Sequence, residues 1–257
     1  MSGWQPDRYL HFGDLRLRPG LDLLARIALA APRTVVDLGC GPGNLSAVLA
    51  ARWPGAKLVG VDSAPAMLAR ARAALPAADF VHADIARWQA EAAVDVLFSN
   101  AALHWVDDHR ALIARLAGML SVDGVLAVQM PANFSAPSHR LLRELAAEPV
   151  WRTSLQGARM GQVLDMADYL AALGPRFARI DAWETIYWQR LEGRAPVLDW
   201  LRGTTLVPYL EALSAADGER FAAELGRRLE TAYPRQADGS VLFPFRRLFF
   251  VASGPRP

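Results

Sequence analysis

The sequence holds one cysteine, Cys40, and one lysine, Lys57, among its 257 residues. A lone thiol cannot close an internal disulfide, which suits a reducing compartment, and its place in a glycine-rich stretch suits a small packing group better than a nucleophile. With so little lysine, nearly all of the 28 basic residues are arginines, planar forks able to hold carboxylates through two parallel hydrogen bonds. A GC-rich coding bias produces the same skew. No charge-free apolar run reaches the roughly 18 residues that a membrane span needs, and Met1 to Leu10 lacks the apolar core of a signal peptide. The net charge is only +2, and no block of consecutive like charges makes a nucleic-acid footprint. Metal-ligand spacing is also missing, so no metal is expected. These absences leave a cytoplasmic protein without membrane or nucleic-acid partners, and a monomer is the expectation.

What is present is core-forming material, a hydrophobic share of 53%. From Arg33 to Gln129, short β-branched runs alternate with amphipathic Ala/Leu/Arg segments, the pattern of a parallel sheet covered by helices. Strands are predicted over Thr34–Leu38, Lys57–Asp62, Asp79–His82, Val94–Ser99 and Val122–Gln129. Helical spacing covers Asn44–Arg52, Pro65–Leu75 and Asp108–Leu120, with Pro65 in a first turn and Ser63 as a possible cap. After Met130-Pro131 the regularity breaks. Ser138–Ala147 reads as a helix, Ala178–Leu191 as a long strand with Trp183 and Tyr187 on one parity, Pro196–Tyr233 as mostly helical, and Leu248–Ala252 as a final strand. The expected organisation is one domain over 1–257, with a core at 30–131, an insertion of helices and one strand at about 132–245, and a last strand near 246–253.

The first strand runs into Asp37-Leu-Gly-Cys-Gly-Pro-Gly-Asn44 and then a helix, which puts a glycine-rich turn where a backbone must approach a ligand closely. A dinucleotide fingerprint needs G-x-G-x-x-G, whereas Gly39, Gly41 and Gly43 alternate and Asn44 stands at the sixth position. Asp37 beside the turn would repel a pyrophosphate but attract an ammonium. Asp62, ending the second strand, is placed to accept from ribose hydroxyls, and Asp84-Ile85, after the third, to meet an adenine with a carboxylate and an aliphatic face. Each acid alone is as readily a helix cap or a strand terminator. Together, at carboxyl ends of strands, they converge on one crevice.

Val36-Asp-Leu-Gly-Cys-Gly-Pro-Gly43, Gly60-Val-Asp-Ser63, Ala83-Asp-Ile85 and Ser99-Asn-Ala101 resemble the class I S-adenosylmethionine-dependent methyltransferases. The resemblance implies an α/β, Rossmann-like, mostly parallel sheet of seven strands with the last antiparallel, plus a mainly helical cap. It also implies S-adenosylmethionine as cofactor and S-adenosylhomocysteine as product. By position, Asp37, Gly39, Gly41, Gly43, Asp62, Ser63, Met67, Asp84, Ile85 and Asn100 would bind the cofactor, with Met67 and Trp88 bordering adenine and ribose.

More of the chain is similar to one branch, the bacterial trans-aconitate 2-methyltransferases. Residues carrying this likeness include Tyr9-Leu-His-Phe-Gly-Asp14, Arg16-Leu-Arg-Pro19, Asn100-Ala-Ala-Leu-His-Trp-Val106, Leu126-Ala-Val-Gln-Met-Pro131, Trp183-Glu-Thr185 and Pro244-Phe-Arg-Arg-Leu-Phe249. The implied acceptor is a small carboxylate, ionised near neutral pH, so its methylation needs positioning and water exclusion rather than a general base. Arg16, Arg18, Arg246 and Arg247 are the candidate partners for its charges, each balanced by the alternative of a solvated surface arginine. His104 and Trp105 are candidates for positioning the acceptor, or His104 is structural. Tyr9, Gln129, Trp183 and Tyr187 complete the candidate substrate set, although the Gln129 amide could equally satisfy backbone groups and strand aromatics are more often core. His109, at a helix start, is expected at the surface. The competing readings are a methyltransferase for a neutral or aromatic molecule and a nonenzymatic adenosylmethionine-binding protein.

Overall fold

The computed structural model describes residues 13–256. Among them a seven-stranded sheet has the order β3-β2-β1-β4-β5-β7-β6. Its strands are β1 (Thr34–Leu38), β2 (Lys57–Asp62), β3 (Asp79–His82), β4 (Val94–Asn100), β5 (Leu120–Pro131), β6 (Phe177–Leu191) and β7 (Val241–Pro255). β1 pairs parallel with β2 and β4, β2 with β3, and β4 with β5, whereas β7 runs antiparallel to β5. The expected sheet is thus the observed one. β4 shows the burial of a parallel interior strand: Val94 through Ser99 are all buried, the polar Asp95 and Ser99 included.

The helices are α1 (Gly13–Ala25), α2 (Asn44–Arg52), α3 (Pro65–Ala74), α4 (His109–Ala117), α5 (Pro137–Ala146), α6 (Pro149–Arg152), α7 (Met166–Leu173), α8 (Pro196–Arg202), α9 (Val207–Glu211) and α10 (Ala215–Ala232). β1, β2, β3 and α2 have the predicted bounds. α4 stops three residues short of its predicted end because β5 starts at Leu120, and β7 begins seven residues before the predicted final strand. Pro65 does open α3, but the residue before the helix is Ala64 and not Ser63; Asp62 accepts from the Ala64 amide at 2.8 Å. A side chain already fixed at the end of β2 therefore serves that helix start.

The described chain forms two compact units. One comprises Arg16–Pro131, Gln162–Thr185 and Arg247–Pro257 and carries the β1–β5 strands. Asp95 knots its base: the carboxylate accepts from Arg33 N at 2.7 Å, from Thr34 N at 3.3 Å and from Ser121 Oγ at 2.7 Å, joining the starts of β1 and β5 through β4. Burial raises its pKa, but these bonds together outweigh that effect and hold it below the ordinary carboxylate value. The other unit includes Ala132–Gly161 and Ile186–Arg246, with its own core around Trp200, Phe221, Phe243, Trp151 and Leu225. Tyr187, buried, belongs to this second unit.

Candidate active site

The carboxyl ends of β1 and β2 are fastened to each other by the turn between β1 and α2. Gly39 N and Cys40 N both donate to Val61 O, at 2.8 and 3.1 Å, and Gly41 N donates to Asp62 Oδ2 at 2.9 Å. Gly39, Gly41 and Gly43 have φ of +78°, +54° and +87°, a region in which side chains are strained. Their surroundings differ. A Cβ on Gly39 would lie 2.1 Å from the Ala102 Cβ, and one on Gly43 would lie 3.1 Å from the Ala71 Cβ, whereas one on Gly41 would meet nothing within 4 Å. Gly39 and Gly43 thus admit neighbouring protein, and Gly41 faces open space among the described residues. Cys40 points the other way: 6% exposed, it clusters with Leu68, Ala71 and Phe80, and burial pushes its thiol well above the usual range.

Asp37 lies beneath this turn, 1% exposed, and accepts from Ser46 Oγ at 2.6 Å. Burial is the main force raising its pKa to about 7; the Ser46 bond lowers it and the neighbouring Asp62 raises it further. A cation brought to this place would restore the carboxylate. Ser46, on α2, was not singled out from sequence; a serine within one turn of the glycines was the available signal.

Beyond β3, Asp84 is exposed and accepts from Ala86 N at 2.8 Å. The Ile85 Cδ1 reaches within 3.3 Å of the position of a Gly39 Cβ, so this loop touches the glycine turn. Arg115 of α4 clamps it by donating to Ile85 O at 2.6 Å and to Trp88 O. No sequence pattern distinguished Arg115 from the other arginines. Met67 is buried at 4% exposure in α3, and Ser63 is exposed, its carbonyl 3.0 Å from His82 Nε2.

At the end of β4, Ser99 Oγ donates to Leu38 O at 2.8 Å and Asn100 follows with a buried Oδ1 that has no hydrogen-bond partner among the described residues. Ala101 takes a left-handed φ of 55°, held by donation from its amide to Gln129 O at 2.9 Å, and this bend sets Ala102 against Gly39. His104 is buried in the following 3₁₀ turn, its carbonyl accepting from Gln162 N at 2.8 Å, with the exposed Trp105 ring 4.9 Å from its own.

The other candidates divide. Gln129 and Arg247 come together, both buried, with Arg247 Nη1 donating to Gln129 Oε1 at 3.2 Å. Trp183 stacks on Phe249 at 4.8 Å beneath the Arg26 guanidinium, 5.1 Å from its ring centre, a packing role. Arg18 is exposed and faces Asp22 at 4.0 Å. Arg246 is exposed where Arg247 is buried, the alternation of successive strand residues, and its backbone is held by Asn133 at 2.8 and 3.1 Å. Tyr9 and the side chain of Arg16 lie outside the described residues. His109 corrects the surface expectation: it begins α4 but is 5% exposed, its Nδ1 bonded to the Tyr169 hydroxyl, and burial lowers its pKa.

A glycine turn between adjacent parallel strands, with β7 antiparallel at β5, is the architecture of Rossmann-like methyltransferases, and residues 35–124 match the family model described as a methyltransferase domain. Geranyl diphosphate C-methyltransferase from Streptomyces coelicolor A3(2), solved with S-adenosyl-L-homocysteine, shares the fold with a TM-score of 0.54 at 17% identity, over 99% of this chain and 86% of that one. Trans-aconitate 2-methyltransferase of Methylobacterium radiotolerans is 44% identical over 256 residues, 98% of each chain, and that of Methylobacterium nodulans 46% identical over 258 residues, 100% of each. The chain belongs to the trans-aconitate 2-methyltransferase family.

Proposed function

We propose that this protein transfers the methyl group of S-adenosylmethionine to a carboxylate oxygen of trans-aconitate or a closely related small polycarboxylate. The observation that carries the reading is the unfilled side of Gly41, flanked by Asp37 and Asp62 at the ends of β1 and β2. An adenosyl amino acid fits this set. Its ammonium would relieve the buried Asp37 carboxyl, which burial and Asp62 disfavour as an anion. Its ribose hydroxyls would use the remaining lone pairs of Asp62, each of whose oxygens accepts one backbone amide. Asp84 and Ile85 would take the adenine, and the unpartnered Asn100 Oδ1 a further donor.

When bound, the cofactor supplies an electrophilic methyl on a sulfonium. The protein's own work is to hold an already ionised acceptor oxygen in line with that carbon and to exclude water, and no proton has to move. His104 and Trp105 are assigned to positioning, as neighbours beyond the end of β4. The reading includes action as a cytoplasmic monomer on a small molecule; the weak net charge and the dispersed arginines support only the choice of a small molecule over nucleic acid. Among the described residues no helix is long and apolar enough to cross a membrane.

Purified protein incubated with methyl-labelled S-adenosylmethionine and separate samples of trans-aconitate, cis-aconitate, citrate and isopropylmalate tests the proposal. The expected result is a base-labile methyl ester of trans-aconitate formed one for one with S-adenosylhomocysteine. Tight binding of S-adenosylhomocysteine without turnover on any acid would favour a nonenzymatic binding protein, and transfer to neutral acceptors alone would overturn the carboxylate assignment.

A further inference from the structure

We infer that Gln129, held by Arg247, is the anchor for a carboxylate of the acceptor that does not receive the methyl group, and so a determinant of polycarboxylate specificity. This rests on the reading of the chain as a small-acid methyltransferase and adds the group that distinguishes one acid from another. The argument begins with the polarity of the Gln129 amide. Arg247 can only donate, so its Nη1, 3.2 Å away, fixes the accepting Oε1 toward itself and leaves Nε2 pointing elsewhere. Gln129 is 0% exposed, and its Nε2 is buried with no acceptor among the described residues. A buried side-chain donor without a partner is an exception in folded proteins and fits a site that receives an acceptor from a ligand.

Its place says which acceptor. Gln129 sits near the carboxyl end of β5, in register with Asn100, the last residue of β4. Register partners on neighbouring strands present their side chains on one face, so the two amides stand side by side beyond the strand ends that carry the glycine turn. Pro131 pairs with Arg247 and Gln129 with Phe249 across the antiparallel β5–β7 ladder, which puts Arg247 on that same face. The unmatched amide donor therefore stands one strand beyond Asn100, backed by a buried guanidinium. A donor reinforced by a fixed positive charge in a low-dielectric surrounding selects an anionic oxygen over a neutral one. In a substrate with three carboxylates, one is consumed by methylation and the others need partners of this kind.

The test uses calorimetric binding of trans-aconitate to the S-adenosylhomocysteine-loaded protein, together with kcat and KM for transfer. Gln129→Glu keeps an acceptor for Arg247 but replaces the Nε2 donor by an oxygen, and Gln129→Leu removes both ends of the amide. Both variants should bind trans-aconitate at least 10-fold more weakly, with KM rising by the same factor, kcat within about 3-fold and S-adenosylhomocysteine affinity unchanged; the thermal midpoint should hold in Gln129→Glu, which keeps an acceptor for the buried Arg247, and fall in Gln129→Leu, which removes it. The three dicarboxylates that each lack one carboxyl group of trans-aconitate locate the effect. One of them should bind wild type and both variants alike, while the other two lose affinity as trans-aconitate does. Unchanged affinity in either variant, or equal losses for all three dicarboxylates, would overturn the anchor. Failure of the wild type to methylate any acid while it still binds trans-aconitate through Gln129 would overturn the methyl-transfer reading and leave the anchor standing.

Discussion

Replacing Asp37 by asparagine removes a buried carboxyl whose pKa rises from 3.8 to about 7 on folding, and the size of that shift sets the expected consequence. The folded state binds more protons than the unfolded state between pH 3.8 and 7, so this group's contribution to stability is greatest below pH 3.8 and declines as the pH rises to 7. Above that it stays at its low level. At 1.36 kcal/mol per pH unit, the loss across the window is of order 4 kcal/mol. The asparagine amide would keep an oxygen for the Ser46 hydroxyl and carry no charge at any pH. Urea unfolding of both proteins without ligand, at half-unit steps from pH 4 to pH 8, reads the difference directly. The variant should match wild type near pH 4 and exceed it by up to about 4 kcal/mol at pH 8. Its affinity for S-adenosylmethionine should nevertheless fall about 10-fold or more, the loss expected for one charge-assisted hydrogen bond. A stability difference that stays constant from pH 4 to pH 8 would refute the assignment of a buried, neutralised acid.

The three glycines separate packing from binding. Gly39→Ala meets the Ala102 Cβ and should lower the melting temperature clearly, at a cost of about 2–4 kcal/mol. Gly41→Ala, with open space around it, should lose only about 1–2 kcal/mol from its left-handed φ yet abolish calorimetric binding of S-adenosylhomocysteine. Equal effects of the two would count against a ligand at Gly41. Tyr169→Phe breaks the hydroxyl bond to His109 and should destabilise the protein by about 1–3 kcal/mol in urea while leaving KM for both substrates unchanged.

β1 and β2 were legible because each is a brief β-branched run closed by a glycine or an acid at its hydrogen-bonded end, whereas β3 has Val81 as its one β-branched residue and gave a weaker signal. α1 was not legible: Pro19 lies inside it, and Gly20 comes so close to Leu45 that a Cβ there would meet its side chain at 2.5 Å. His109 misled for a related reason. Its helix position is an ordinary N-terminal one, and only Tyr169, sixty residues later, makes it interior. In the candidate site, the glycine turn and its acids followed from local spacing. The pairing of Gln129 with Arg247 depends on the register of β5 against β7, which no local pattern specifies, whereas the parting of Arg246 from Arg247 is the alternation of successive strand residues.

Cys40 turns the isolation of a single thiol into a practical reporter. It lies inside the glycine turn, packed where Gly60 leaves room for its sulfur, and burial followed by the charges of Asp37 and Asp62 keeps it protonated. A disulfide-exchange dye can colour only molecules in which this loop has sprung open, so the lag before colour develops clocks the loop itself, without any label being introduced. Occupancy by a nucleoside that braces the loop should stretch that lag in proportion to its saturation.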